Sequence, residues 1–121
     1  MFILTEKIEA ITSADKTLAI AAPVDCRVEA AYIVADVAVA SGASPKLVCE
    51  IYADDDATVL LSADSEASGF SQNAPVPMDL QNGVSKRYEA GEAIQVKADV
   101  TGTLSSTNVR FILKCVPARD I

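Results

Sequence analysis

Histidine and tryptophan are both absent from this 121-residue chain, and aromatic residues of every kind make up only 5% of it. Without histidine the chain lacks the commonest general base and the commonest transition-metal ligand. Positive charge is scarce as well: ten Lys and Arg stand against seventeen Asp and Glu, for a formal net charge of −7. The basic residues are scattered, with Lys86-Arg87 the longest basic run. A nucleic-acid surface needs clustered cations to displace counterions, so the composition argues against a nucleic-acid partner. No apolar run approaches the ~20 residues that span a bilayer, which argues against a membrane partner. The opening MFILTEKIEAI is apolar, but Glu6, Lys7 and Glu9 interrupt it and no basic segment precedes it. It therefore does not read as a signal peptide, and synthesis in a cytoplasm is expected. Cys26, Cys49 and Cys115 are an odd number without CxxC spacing, a pattern that points away from a disulfide framework or a zinc site. Each lies in an apolar, strand-like stretch, which predicts buried free thiols.

What is present is apolar and small. Half of the residues are hydrophobic, enough to argue against disorder and for one domain with its own core over residues 1–121. Alanine and valine are abundant, and β-branched residues suit packed sheets. Period-two alternation recurs along the chain, and long helical periodicity does not. KTLAIAA (16–22) reads as a strand stopped by Pro23. In CRVEAAYIVADVAVA (26–40), Cys26, Val28, Ala30, Tyr32 and Val34 form one apolar face. The other face begins with Arg27 and Glu29 and turns apolar at Ala31, Ile33 and Ala35, as in a strand that becomes buried on both sides. The β-branched residues and the flanking turns favour strand over helix there.

KLVCEIYA (46–53) and ATVLLSA (57–63) flank Asp54-Asp55-Asp56 and read as a hairpin. DSEASGFSQNAP (64–75) is a polar loop, and VPMDLQ (76–81) is a short strand whose Pro77 suits an edge. Asn82-Gly83 is a hairpin-turn signal. In RYEAGEAIQVKADV (87–100), Gly91 reverses the chain. Ile94, Val96 and Ala98 then alternate with Gln95, Lys97 and Asp99. NVRFILKCV (108–116) closes the domain before Pro117. These segments predict an all-β, single-domain antiparallel sandwich, jelly-roll-like, with about eight strands.

Candidate sites are few. The three aspartates could offer oxygens to a divalent cation, but they lack the spaced ligand pattern of a calcium loop, and a solvated hairpin tip accounts for them. Ser62, Ser65, Ser68 and Ser71 have no histidine to activate them and sit in no nucleophile motif. Gly69 and Gly83 form no phosphate-cradling loop. Phe70 is an apolar residue in a polar loop and either contacts a partner or plugs the end of the sandwich. MFIL, which opens the N-terminal segment (1–13), is apolar where termini are usually frayed and polar, as is Ile121. Phe2, Ile3 and Leu4 are therefore expected in a first strand that also contributes to a subunit contact. Catalytic residues, metal and cofactor are expected to be none.

Taken in order, these segments resemble the small β-sandwich proteins of tailed-bacteriophage virions, capsid decoration (cement) and head-fibre proteins in particular. Pro23, Asp25, Cys26 and Val28 match a P-x-D-[CG]-x-V step into a long strand. Gly91, Glu92, Ile94 and Val96 match a G-[DE]-x-I-x-V turn and strand, and Val109 to Pro117 match a terminal strand. The likeness runs from about Ala14 to Pro117, and its motifs are structural. It implies an eight-stranded jelly-roll-like sandwich, often trimeric, bound to the major capsid protein on the virion surface at three-fold positions and without catalytic residues. A separate fibre or immunoglobulin-like domain is missing from this chain. A glycan- or receptor-binding module of a tail or fibre therefore stays open beside the cement protein.

Overall fold

The computed structural model describes residues 1–81 and 87–118. These residues form ten strands: β1 (Phe2–Ile11), β2 (Lys16–Ala21), β3 (Cys26–Ala35), β4 (Lys46–Tyr52), β5 (Val59–Asp64), β6 (Pro75–Pro77), β7 (Asp79–Leu80), β8 (Arg87–Tyr88), β9 (Ala93–Thr101) and β10 (Thr107–Pro117). One sheet, A, runs β1-β10-β3-β6, with β8 also on β3; the other, B, runs β2-β9-β4-β5-β7. All pairings are antiparallel. They are nested: β1 with β10, β2 with β9, β3 with β6 and β8, β4 with β5. This is a long hairpin wrapped into two sheets, the jelly-roll order.

Alternation makes the core. Leu47, Cys49 and Ile51 of β4, Ile94, Val96 and Ala98 of β9, and Val109, Phe111, Leu113 and Cys115 of β10 are buried in one cluster. Their strand neighbours face outward because successive side chains point to opposite faces. The turn at Glu89–Glu92 forms as expected, closed by the Glu92 amide donating to the Glu89 carbonyl at 3.0 Å. Gly91 there has φ +88°, in the left-handed region that glycine occupies without strain. Asp25 holds this turn against the loop before β3, accepting from the Ala90 amide at 2.8 Å.

β3 departs from the expected single face. Lys114 pairs with Ala30 but Cys115 pairs with Val28, so Glu29 is an extra residue in the ladder. This bulge reverses the phase of the strand. Cys26 and Val28 point inward before it, and Ala31, Ile33 and Ala35 after it. Tyr32, expected on the inner apolar face, is 40% exposed. The strand is buried on one side, and its outer side stays in water.

The stretch 76–81, expected as one strand, serves both sheets. Val76 pairs with Ile33 in sheet A, and Leu80 pairs with Leu61 in sheet B. Met78 crosses between them, 7% exposed. Pro75 and Pro77 lie on the outermost strand, where a missing N–H costs no ladder bond. This split and the short β8 account for ten strands rather than eight. The Asn82-Gly83 turn signal lies outside the described residues.

Tyr88 is fully buried and ties the sheets together. It stands on β8 of sheet A and donates its hydroxyl to the carbonyl of Tyr52, at the end of β4 in sheet B. Burial raises the phenol's pKa above its ordinary value, so the hydroxyl keeps the proton it donates. Tyr88→Phe keeps the packing but leaves the half-buried Tyr52 carbonyl without this donor, and should cost about 1 kcal/mol in chemical denaturation. An unchanged unfolding midpoint would show that this bond is not a tie between the sheets.

Candidate functional site

The N-terminal strand lies at the rim of sheet A, where, among the described residues, β1 pairs with β10 alone. Phe2 and Leu4 turn inward and are half-buried against the core, while Ile3 points outward and is 53% exposed. The strand thus docks into its own sheet and keeps Met1 and Ile3 in water. β2, the rim strand of sheet B, lies beside β1. A shallow groove between them is lined by Lys7, Ile8, Glu9, Lys16, Thr17 and Leu18.

Phe70 is 2% exposed, which of its two alternatives is the plug. Its backbone exchanges hydrogen bonds with Val39, 2.8 Å and 2.9 Å long, and closes one end of the sandwich. The close approach depends on Gly69, where a Cβ would fall 2.6 Å from the Val39 carbonyl oxygen. Ile121, the other apolar terminus, lies outside the described residues.

The acidic hairpin tip is built by Asp55. Its Oδ1 accepts from the amides of Ala57 at 2.9 Å and Thr58 at 2.8 Å, and its Oδ2 accepts from the Thr58 hydroxyl at 2.6 Å. These bonds, the Thr58 hydroxyl first, hold its carboxyl below the usual range. Both oxygens are engaged in shaping the turn. Among the described residues no group of three or more His, Cys, Asp or Glu side chains is placed to hold a metal ion.

The serines do not converge. Ser65 is fully buried, and its hydroxyl accepts the Leu47 amide at 2.9 Å, fastening the loop after β5 to the start of β4. Ser62 meets Gln81 at 3.3 Å, and Ser68 and Ser71 are exposed. The three cysteines are free and buried. Burial raises all three thiol pKa values, that of Cys115 to about 11, which leaves them without nucleophilic thiolate at neutral pH.

A polar node that the sequence did not disclose joins three strands of sheet A. Asn108 on β10 donates its side-chain amide to Asp36, just past β3, at 2.7 Å. Its Oδ1 accepts the amide of Ala10 in the β1 irregularity, at 2.8 Å. Asp36 also accepts the Asn108 backbone amide at 2.8 Å, and the Thr107 hydroxyl lies 3.3 Å away. The Asn108 amide is the main reason the Asp36 carboxyl titrates below its ordinary value.

The outer faces of the two sheets differ in charge. Sheet B presents Glu50, Asp64, Asp79 and Asp99 beside Lys46 and Lys97. Lys46 pairs with Glu66 at 3.1 Å and Asp64 at 3.7 Å, and Lys97 with Asp15 at 3.9 Å. Partial burial, helped by Asp99, raises the Glu50 pKa. Sheet A presents Lys7, Arg27, Arg87, Arg110 and Lys114 against Glu9 and Glu29, with Ile3, Tyr32, Val34 and Ile112 between them. The alternation of Arg110 and Lys114 with buried neighbours was visible in the sequence. That β3 would set Arg27 and Tyr32 beside them was not, because that adjacency comes from pairing across some eighty residues of chain. No protein-family model matches the chain, and no curated protein or solved structure matches it.

Asp36 predicts a pH dependence. Its folded pKa lies below the unfolded value of about 3.9, so its stabilisation is complete above that value and is lost as pH falls through the folded pKa. Asp36→Asn should therefore melt below the wild type at pH 7, with the gap closing as pH drops below about 4. A gap that stays constant across that window would remove the carboxylate from this role.

Proposed function

We propose that this protein is a structural component of a virion, a decoration protein that binds the outside of the major capsid lattice and stabilises the head. One observation carries the reading. The jelly-roll core is closed, yet large apolar side chains remain in water: Met1, Ile3 and Tyr32 at the N-terminal strand and on sheet A, and Leu18 and Leu80 on sheet B. Exposed apolar groups interleaved with charge suit a contact surface. The candidate reactive groups, by contrast, are spent on structure: Asp55 on its turn, Ser65 on β4 and the cysteines in the core. Holding a shell together requires area and symmetric copies rather than chemistry. The acidic balance keeps free copies soluble before they assemble. The strand order resembling virion sandwiches adds to this reading.

The rim position of β1, paired only with β10 among the described residues, supports a contact between copies at the N-terminal strand, in a homotrimer. Such an edge offers unpaired backbone groups to a neighbour. A glycan- or receptor-binding module drew its support from the polar loop containing Phe70 and from the sandwich fold, and the burial of that ring removes the first of these.

Purified protein mixed with undecorated shells of the source particle should bind them and raise their melting temperature. Absence of binding, with the shells melting unchanged, would refute the proposal. Native mass spectrometry at assembly-like concentration should show a trimer, and a monomer alone would count against the subunit contact.

A further inference from the structure

Resting on that reading, we infer that the outer face of sheet A is the side that seats on the shell, and that it recognises a carboxylate-bearing protein surface. The first ground is which cations are already engaged. Lys7 pairs with Glu9 at 3.4 Å, Arg87 with Asp25 at 3.5 Å, Lys46 with Glu66 at 3.1 Å and Lys97 with Asp15 at 3.9 Å. Lys16 donates to the Glu9 carbonyl at 2.8 Å. Arg27, Arg110 and Lys114 make no ion pair and no side-chain hydrogen bond among the described residues. The chain carries seventeen carboxylates against ten basic groups, yet these three cations have no carboxylate partner among the described residues. All three stand on one face of one sheet, on the adjacent strands β3 and β10.

The second ground is what lies between them. Arg110 and Lys114 are four residues apart on one strand, so they stand about 13 Å apart. Between them runs a cross-strand row of Thr5, Ile112, Tyr32 and Pro77. Tyr32 is 40% exposed there, an amphipathic ring of the kind that anchors protein contacts. Beside this row the β3 bulge opens a depression of about 360 Å³ lined by Arg27, Val28, Glu29, Ala30 and Lys114. Cations on either side of an open depression fit a partner carboxylate.

The third ground selects a protein over a polyanion. The cations are spaced by apolar side chains, and Glu29 lies among them, whereas nucleic acid favours dense, unopposed positive charge. The opposite face carries Glu50, Asp64, Asp79 and Asp99. It would be repelled by the same acidic surface, which sets the orientation.

The test uses two probes, undecorated shells and a poly-L-glutamate resin, with wild type, Arg110→Glu/Lys114→Glu, and Asp79→Lys on the opposite face as the control. Wild type should be retained on the resin at low salt and neutral pH despite its net charge of −7, and should elute as salt screens the contact. Arg110→Glu/Lys114→Glu should lose retention and bind shells at least about tenfold more weakly. Its thermal melting should not change, because neither side chain has an ion pair or hydrogen bond to lose among the described residues. Asp79→Lys should bind shells like the wild type. Arg110→Lys/Lys114→Arg, which keeps the charges, should do the same.

Wild type that passes through the resin overturns the inference whatever the shells do. Wild type retained on the resin but not on shells refutes the decoration reading and leaves the chemistry of the face standing. Shell binding by Arg110→Glu/Lys114→Glu equal to wild type overturns the inference and spares the decoration reading. Stronger retention on double-stranded DNA than on poly-L-glutamate would make the ligand a nucleic acid and also overturn it. So would loss of a homo-oligomer in sedimentation velocity on charge reversal, which would make a second copy the occupant.

Discussion

The ladder that holds β10 between β1 and β3 is the constraint on which the rest depends. β10 is the longest strand, and its inner row of Val109, Phe111, Leu113 and Cys115 is fully buried. Because β1 pairs with it from the chain's beginning and β3 from the first third, its formation closes the outer turn of the nested hairpin. β2 and β9 lie opposite this ladder in the second sheet. The loop-closure entropy of such distant pairing is offset by burying both inner faces at once. The polar node of Asp36, Thr107 and Asn108 fastens one end of this three-strand unit, and the Asp25 clasp on the Glu89–Glu92 turn fastens the other end of β3.

That ladder also decides the surface. The inward row of β10 spends the apolar residues on the core, so the outward row of Arg110, Ile112 and Lys114 goes to water. The bulge at Glu29 then brings Tyr32 to the same side and leaves Arg27 across the depression from Lys114. One irregularity in one strand thus changes what the exterior can recognise. Had β3 kept a single phase from Cys26, Tyr32 would have faced the core and Ile33 the solvent.

Much of the fold was legible in local pattern. The hairpin around Asp54–Asp56, the Gly91 turn and the alternation of β4, β9 and β10 all follow from a sheet with one dry and one wet face, which writes itself into neighbouring residues. The places where local pattern misled are places where a residue answers to a distant partner. Glu29 is extra only relative to Lys114 and Cys115. Residues 76–81 divide because Ile33 holds one half and Leu61 the other. Tyr88 becomes the largest fully buried side chain because the Tyr52 carbonyl is there to accept its hydroxyl. Phe70 could plug or project, and its exchange of backbone bonds with Val39 set it inside.

The candidate surface divides in the same way. Composition by itself determined that histidine chemistry is absent, that charge is predominantly negative and that half of the residues are apolar. Alternation determined which side of most strands turns inward, because burial acts on each strand as a local choice between two faces. Only the tertiary structure decided which strands are neighbours, and with that which cations stay unpaired and which aromatic ring stands among them. Those choices depend on contacts between residues far apart in the chain, whose positions are set by the closed core and by no short segment alone.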